Sequence, residues 1–231
     1  MKALILAAGR GSRLGKITDN LPKPLVEVKG KPVIDYLIHK LIRLNVSEIF
    51  INTHYRHELI KKFIIDSNYK IKINMIYEQE LLGTAGTLKS LVHQLSDGDF
   101  IVMHADNYFL DNLEGLKHAH LSSGSNYLLT LGTFPVSKPD LYGTVELSVD
   151  GTVTNFYEKQ KNSPSKIANS AIYFMKPEIA AWVKGLREHE NDISLNLLPK
   201  LLRKIKAIEL RGYFYDIGTP ENLSLANRSD Y

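Results

Sequence analysis

Two aspartates and a group of cations are the residues best suited to chemistry in this sequence. Asp106 closes the apolar run DFIVMHAD, and Asp216 lies within GYFYDIGTPENL. Both acids terminate apolar segments of strand character, so both stand where strand ends converge. Carboxylate oxygens suit Mg²⁺, which keeps waters and substrate phosphates in its remaining coordination positions. The alternative for each acid is a cap. Asn107 would help Asp106 cap the following turn, and Asp216 would cap a helix beginning near Pro220. The cations lie near the N-terminus. ALILAAGRGSRL (3–14) runs from an apolar stretch into two glycines and two arginines, and LPKPL (21–25) places Lys23 between two prolines. Gly9 and Gly11 can take backbone angles that other residues avoid and let amides approach an anion closely. A phosphate ligand would use such a loop. A strand-to-helix turn with surface arginines is the plain alternative, as a solvated surface lysine is for Lys23.

Two familiar phosphate loops do not fit. A G-x-G-x-x-G fingerprint fails at Leu14, with Gly15 one place late. A Walker A loop fails because Arg10 stands where its first glycine belongs and Ile17 where its Ser/Thr belongs. The bulk composition narrows the rest. At 231 residues the chain can bury a sizeable core. Its net charge of +4 suits anionic ligands, but Lys and Arg are scattered, so a nucleic-acid surface is not required. With no cysteine, thiol catalysis, disulfides and thiolate-bound zinc are excluded. None of the eight histidines has paired metal-ligand spacing, and His54, His57, His118 and His120 read as surface or capping residues. MKALILAAG is too short in its apolar part for a signal peptide, and no stretch approaches the ~18 apolar residues of a bilayer span. A cytoplasmic location without membrane insertion is expected.

Short apolar runs alternate with amphipathic stretches through the first half, and these elements must position the acids and cations. ALILA (3–7), EIFIN (48–52), IKINMIY (71–77) and DFIVMHAD (99–106) read as strands. VIDYLIHKLIRL (33–44), HELIKKFII (57–65) and TLKSLVHQL (87–95) read as helices, the first burying Ile34, Leu37, Ile38, Leu41 and Ile42. Such repeats imply a parallel sheet with helices on both faces, binding ligands at the carboxyl ends of its strands. After about residue 126 the pattern changes. YLLTLGTF, YGTVELSVDGTVTNFYEK and IANSAIYFM read as successive strands, with a hairpin at Asp150-Gly151. KPEIAAWV and ISLNLLPKLLRKI then read as helices, IKAIELRGYFYDIG as strand and PENLSLAN as a closing helix. One continuous fold over 1–231 is expected, with an α/β nucleotide-binding lobe (1–125) followed by a mixed, antiparallel part with closing elements (126–231).

LAAGRGSRL followed by LPKPL resembles the paired signature of the sugar-1-phosphate nucleotidyltransferases, closest to the mannose-1-phosphate and heptose-1-phosphate guanylyltransferases. The resemblance runs from Ala3 to Leu223 and leaves no residues for the C-terminal extensions that some relatives carry. It implies a GT-A-like, Rossmann-type α/β fold with a mixed, mainly parallel sheet and a small antiparallel sugar-binding insertion. It also implies that a sugar 1-phosphate attacks the α-phosphorus of a nucleoside triphosphate and that pyrophosphate leaves. Leu6, Ala7, Ala8, Gly9, Gly11, Ser12 and Arg13 would cradle the nucleotide, with Arg13 and Lys23 catalytic through charge neutralisation. Asp106 and Asp216, the latter in a D-I-G-T motif, would hold Mg²⁺; His104 stands where the family usually has a glycine.

YEQELLGTAGTL (77–88) is similar to the E-x-E-P-L-G-T-A-G of guanylyl-transferring members, with Leu81 in place of the proline. Carried across, Glu78 faces the base, and Gly83 and Thr84 contact the nucleotide. A glutamate accepting from guanine N1–H and the exocyclic amine favours GTP. YGTVEL, NFYEKQ and IANSAIYFM match the sugar side. Gly143 would admit a hydroxyl close to the backbone, and Glu158 and Asn169 would bind hydroxyls. Lys159 would pair with the sugar phosphate, and Asn107 is counted with this group. Gln160 replaces the usual proline and Ala171 the usual glycine. The expected partners are a nucleoside triphosphate and a sugar 1-phosphate, in the service of cell-surface glycan synthesis; a homo-oligomer stays open. The alternatives are a UTP-dependent transferase acting on an amino-sugar or N-acetylmuramate 1-phosphate, a CTP:phosphocholine cytidylyltransferase, and a non-catalytic subunit that senses nucleotide sugars.

Overall fold

The computed structural model describes residues 1–229. The opening strand, β1 (Lys2–Leu6), buries Ala3, Leu4 and Ile5 completely. A kinked 3-10 turn over Ser12–Thr18 and a shorter one over Lys23–Leu25 follow. Next come two short strands, β2 (Glu27–Val28) and β3 (Lys31–Pro32), then α1 (Val33–Arg43). This helix buries Val33, Ile34, Leu37, Ile38 and Leu41, the stripe expected from its spacing except that Ile42 stands at the edge. The alternation continues as β4 (Glu48–Thr53), α2 (His57–Ser67), β5 (Lys72–Tyr77), α3 (Thr84–Leu95) and β6 (Phe100–His104). Then come β7 (Asn107–Phe109), α4 (Glu114–Ser122), β8 (Leu129–Pro135), β9 (Gly143–Leu147), β10 (Val153–Glu158) and β11 (Ile167–Met175). The chain closes with α5 (Ile179–Lys184), β12 (Ile205–Glu209), β13 (Phe214–Asp216) and α6 (Pro220–Arg228). This is a mixed α/β fold with a mainly parallel central sheet, helices around it, and small antiparallel sheets formed by β7 with β13 and β2 with β3.

Three sequence expectations change in detail. The fourth strand stops at His104, so Asp106 lies in the turn beyond it. The stretch 193–205 forms no α-helix. It makes a π-turn over Ile193–Leu197 and a 3-10 turn over Leu198–Leu201 before β12. Pro199 has no N–H with which to continue an α ladder, and the Asp192 carboxylate caps the segment by accepting from Leu195 N at 2.9 Å. The run 205–218 is two strands, broken where Gly212 turns with φ +81°.

The chain divides into two compact units. The first takes Met1–Leu81, Met103–Asn112 and the chain from Arg211 onward; the second takes Leu82–Val102 and Leu113–Leu210. In the first unit β1 pairs parallel with β4, and β4 with β5. Antiparallel pairing of β7 with β13 sets Asp216 opposite Asn107, and Ile217 N donates to Asp106 O at 2.9 Å. Residues more than one hundred positions apart thus become neighbours. Beneath them Leu14, Val26, Val28, Val33, Tyr108, Ile217 and Ala226 form one buried apolar cluster. Three polar residues of interest have an anchor in it as a chain neighbour: Leu14 follows Arg13, Tyr108 follows Asn107, and Ile217 follows Asp216.

In the second unit β9 and β10 form the hairpin expected at Asp150-Gly151, with Gly151 at φ +79°. β11 runs antiparallel to both β8 and β9, and β8 pairs parallel with β12. His120, read from sequence as a surface or capping residue, is fully buried on α4, with Nδ1 3.1 Å from the Thr130 hydroxyl. Burial, with the Asp99 carboxylate opposing and Lys176 assisting, brings its pKa down to about 4. His118, two residues away on the same helix, is exposed as expected.

Candidate active site

The site in the first unit is built around a buried lysine. Lys23 opens a 3-10 turn whose flanking prolines restrict its backbone, and only 7% of the residue reaches solvent. Its ammonium bonds Asp106 Oδ2 and lies 3.7 Å from Asp216 Oδ1. Arg13 Nη2, on a side chain 57% exposed, reaches Asp216 Oδ2 at 3.7 Å. Gly11 makes room for this arrangement. Its φ of +73° is left-handed, and a Cβ there would come within 2.8 Å of Lys23 Cβ. Leu14 N and the Thr18 hydroxyl both donate to Gly11 O at 3.0 Å, fixing the turn that presents Arg13.

The two acids are electrostatically unequal. Burial works against ionisation of Asp106, but the Lys23 ammonium outweighs it. With help from the charge on His104, a hydrogen bond from Lys23 and a backbone bond, it holds the carboxyl down at about 2. Asp216 moves upward, first through burial and then through the charge of Asp106. Lys23, the Gly218 amide and Arg13 compensate only in part. A pair of carboxylates one of which resists ionisation is a place where added positive charge is favourable. The donor set fits a hard, oxygen-seeking cation: two carboxylates together, and among the described residues no third acidic or histidine ligand to complete an all-protein cage. Asp216 does not act as the cap of α6; Thr219 does, accepting from Asn222 N at 3.3 Å.

Gly218 is a residue that sequence reasoning passed over. A Cβ on it would meet Arg13 Nη2 and Asp216 Oδ1 at 2.7 Å and Lys23 Nζ at 2.8 Å. It therefore marks the point where the three side chains converge, and its signal was the glycine of D-I-G-T. Because the clashing atoms are the ends of flexible side chains, Gly218→Ala is expected to fold normally but lower turnover about a hundredfold by misplacing them. Steady-state kinetics with a thermal melt checks both parts.

The rest of the glycine loop and Glu78 are also placed in the first unit. Leu6 ends β1, and its carbonyl accepts from Ala105 N at 3.0 Å. Ala7 and Ala8 are buried, whereas Gly9 and Ser12 are exposed. Ala7 N–H donates to Asn52 Oδ1 at 2.7 Å, and Asn52 Nδ2 donates to Glu78 Oε1 at 2.8 Å. Glu78 is 4% exposed, so it is not a solvated strand end. Asn107 is buried on β7 opposite Asp216.

The remaining predicted residues lie in the second unit. Gly83, at φ +76°, precedes α3, and a Cβ on it would collide with the Asn191 carbonyl. That carbonyl caps the helix by accepting from Ala85 N at 2.8 Å. The Thr84 hydroxyl accepts from Ile193 N at 2.8 Å and lies 3.4 Å from Asp192 Oδ2. On the β9–β10 pair Gly143 sits opposite Glu158, and a Cβ there would lie 2.7 Å from Glu158 Oε2. Burial pushes the Glu158 carboxyl up, against the pull of Lys159 at 3.5 Å and with the charge of Asp192 adding to it. Asn169 Oδ1 accepts from Ala171 N at 2.8 Å, and its Nδ2 approaches Tyr173 OH at 3.0 Å and Ser194 Oγ at 3.4 Å. Ser194, in a segment read as plain helix, and Asp192 just before it thus join this group unforeseen. Ala171 sits at φ +54°, the left-handed region where a methyl is strained. Ala171→Gly is expected to raise Tm by about 2 °C, read by differential scanning calorimetry.

The sequence pattern of the family described as Nucleotidyl transferase matches residues 2–231. The chain belongs to that family. It is 30% identical over 230 residues to a D-glycero-alpha-D-manno-heptose 1-phosphate guanylyltransferase of Aneurinibacillus thermoaerophilus, covering 99% of this chain and 97% of that protein. It is 32% identical to the Bifunctional protein GlmU of Methanococcus maripaludis, where 98% of this chain covers only 54% of the relative; the chain spans about half the length of that protein. The crystal structure of HddC from Yersinia pseudotuberculosis superposes with a TM-score of 0.82 at 29% identity, covering 98% of this chain and 97% of that one; HddC has also been solved in complex with GMP-PN. No helix among the described residues is long and apolar enough to cross a membrane.

Proposed function

We propose that this protein transfers a nucleoside monophosphate from a nucleoside triphosphate, GTP favoured, to a sugar 1-phosphate, for nucleotide-sugar supply to cell-surface glycan synthesis in the cytoplasm. The observation that carries the proposal is the convergence of Lys23, Arg13, Asp106 and Asp216 beside Gly218. A phosphate oxygen of the sugar 1-phosphate attacks the α-phosphorus. The bond from that phosphorus to the α–β bridging oxygen breaks, and the electron pair leaves with pyrophosphate. No protein nucleophile is required, because the attacking oxygen is already anionic. The protein supplies placement and charge neutralisation. Lys23, buried beside the acids, stabilises negative charge as it spreads over the phosphates, and the more exposed Arg13 meets the triphosphate from the glycine loop. Asp106 and Asp216 would hold Mg²⁺, which supplies further neutralisation of the phosphate oxygens when bound.

On the acceptor side Lys159 pairs with the sugar phosphate, and Glu158 and Asn169 orient hydroxyls, while Gly143, lacking a Cβ, leaves room for the Glu158 carboxylate itself. Preference for guanine draws on Glu78 and on two relatives, the heptose 1-phosphate guanylyltransferase and HddC, which has been solved with GMP-PN. Manno-configured sugar 1-phosphates are the favoured acceptors. The test is a grid of four nucleoside triphosphates against a panel of sugar 1-phosphates, scored by pyrophosphate release with magnesium present. GTP with a mannose or manno-heptose 1-phosphate should lead. A grid led by UTP and an amino-sugar phosphate replaces the guanylyl assignment with a uridylyl one. A silent grid, with nucleotide sugars binding tightly, replaces catalysis with sensing.

A further inference from the structure

Asn52 stands one residue before the end of β4 and is only 3% exposed, a polar side chain directly after the buried apolar run Ile49–Ile51. Its amide is engaged at both ends. Oδ1 accepts from Ala7 N–H at 2.7 Å, and Nδ2 donates to Glu78 Oε1 at 2.8 Å. The first bond fixes which end of the amide is oxygen, so the second is a donated bond and Glu78 is held as an acceptor. Strand register puts all three residues together. β1 and β4 pair Leu6 with Asn52, which leaves Ala7 one residue beyond. β4 and β5 pair Thr53 with Tyr77, and Glu78 N then donates to Thr53 O at 2.8 Å on the far side. One buried amide therefore sets the spacing between the exit into the glycine loop and the Glu78 carboxyl.

We propose that Asn52 is the positioning residue for base selection, holding Glu78 as an acceptor at a fixed offset from the glycine loop. The proposal rests on the reading of Glu78 as the base-facing carboxyl. Asn52 itself touches no substrate and acts through Glu78. Guanine offers N1–H and an exocyclic amine side by side, and hypoxanthine offers N1–H alone. A carboxyl held in register with the phosphate loop separates the two, and one that has swung away does not.

The experiment measures kcat and KM for GTP, ITP, ATP, CTP and UTP with mannose 1-phosphate, or with whichever acceptor leads the grid. The proteins compared are the parent, Asn52→Asp, Asn52→Ser, Glu78→Gln and the double variant Asn52→Asp/Glu78→Gln. Asn52→Asp still accepts from Ala7 but faces Glu78 with a second carboxyl. The ratio of kcat/KM for GTP over ITP, about tenfold or more in the parent, is expected to fall to about threefold or less. The loss should appear in the nucleotide KM, with the acceptor KM unchanged. The double variant restores a donor–acceptor pair and should regain Tm while base preference stays altered. Asn52→Ser carries the same test should Asn52→Asp not fold. If the parent separates a different pair of triphosphates, that pair is compared instead. A fall in kcat that is equal for every nucleotide, with the preference intact, overturns the proposal. Glu78→Gln retaining the parental preference overturns the base-facing reading itself. Glu78→Gln losing the preference while both Asn52 variants keep it overturns the role of Asn52 alone.

Discussion

Lys23→Ala is expected to lower kcat/KM about a thousandfold, a loss on the scale of removing one preorganised group that stabilises transition-state charge. The size of the effect follows from where the ammonium sits. It is 7% exposed, bonded to Asp106 and 3.7 Å from Asp216, so water does not replace it easily when it is removed. Nor can Arg13 stand in, because its side chain is more than half exposed and its ion pair is with Asp216. The far-ultraviolet circular dichroism spectrum should not change, since the turn at 23–25 is held by Leu25 N donating to Pro22 O at 2.9 Å and Val26 N donating to Lys23 O at 3.0 Å, bonds that need no lysine side chain. Turnover within tenfold of the parent, measured by pyrophosphate release, contradicts the role given to Lys23.

Asp106→Asn and Asp216→Asn should each reduce turnover about a thousandfold yet move stability in opposite directions. Asp106 is held at about 2, against an ordinary value of 3.8, because the Lys23 ammonium outweighs the cost of burial. The unfolded chain binds that proton more tightly than the folded one. Ionised Asp106 therefore stabilises the fold above the ordinary carboxylate value, and this contribution is lost as pH falls from about 4 toward 2. Replacing it with Asn leaves the buried Lys23 without its bonded counter-charge. The cost should be about 2 kcal/mol, a fall in Tm of roughly 4–8 °C at pH 7.

Asp216 behaves in the other sense. Burial and the charge of Asp106 raise its pKa, so the folded chain binds its proton more tightly than the unfolded chain does. Stability falls as pH climbs through that raised value, and above it the ionised group is a net cost. Asp216→Asn removes the charge and keeps an oxygen for the Gly218 amide, which now donates to Asp216 Oδ1 at 2.8 Å. Tm at pH 7 should rise by about 2 °C or more. Melts of both variants at pH 4 and pH 7 test the pair. Equal shifts in one direction rule out the unequal electrostatics described for the two acids.

The alternation of strands and helices in the first half was legible because apolar periodicity depends on local geometry. α1 buries four of the five positions that its spacing named, and β4 and β5 appear within a residue or two of the apolar runs that announced them. The hairpin at Asp150-Gly151 was equally local, since the chemistry of a turn is written in its own residues. The segment after Asp192 was misread because Ile193, Leu197, Leu198 and Leu201 are spaced as on a helix whichever hydrogen-bond ladder they adopt. The side-chain cap and Pro199 selected a π-turn and a 3-10 turn instead. His120 was misread because a lone histidine carries no periodic signal of its own. It is buried by the face of α4 that it shares with Leu116.

By itself the sequence determined which residues carry charge and which can turn. It set two acids at the ends of apolar runs, a lysine locked between prolines, and glycines where the backbone must bend. The family signature singled these residues out. What only the tertiary structure decided is who meets whom. Asp106 and Asp216 become neighbours through the antiparallel register of β7 and β13, and Lys23 is buried against both. Gly218 becomes part of the site because three side-chain ends occupy the space of its missing Cβ. Asn52 acquires a role because parallel strands bring Ala7 and Glu78 to opposite ends of its amide. The physical reason is one of range. Propensity and periodicity act over a few residues, whereas ion pairs and buried hydrogen bonds depend on distances that strand pairing across the whole chain fixes.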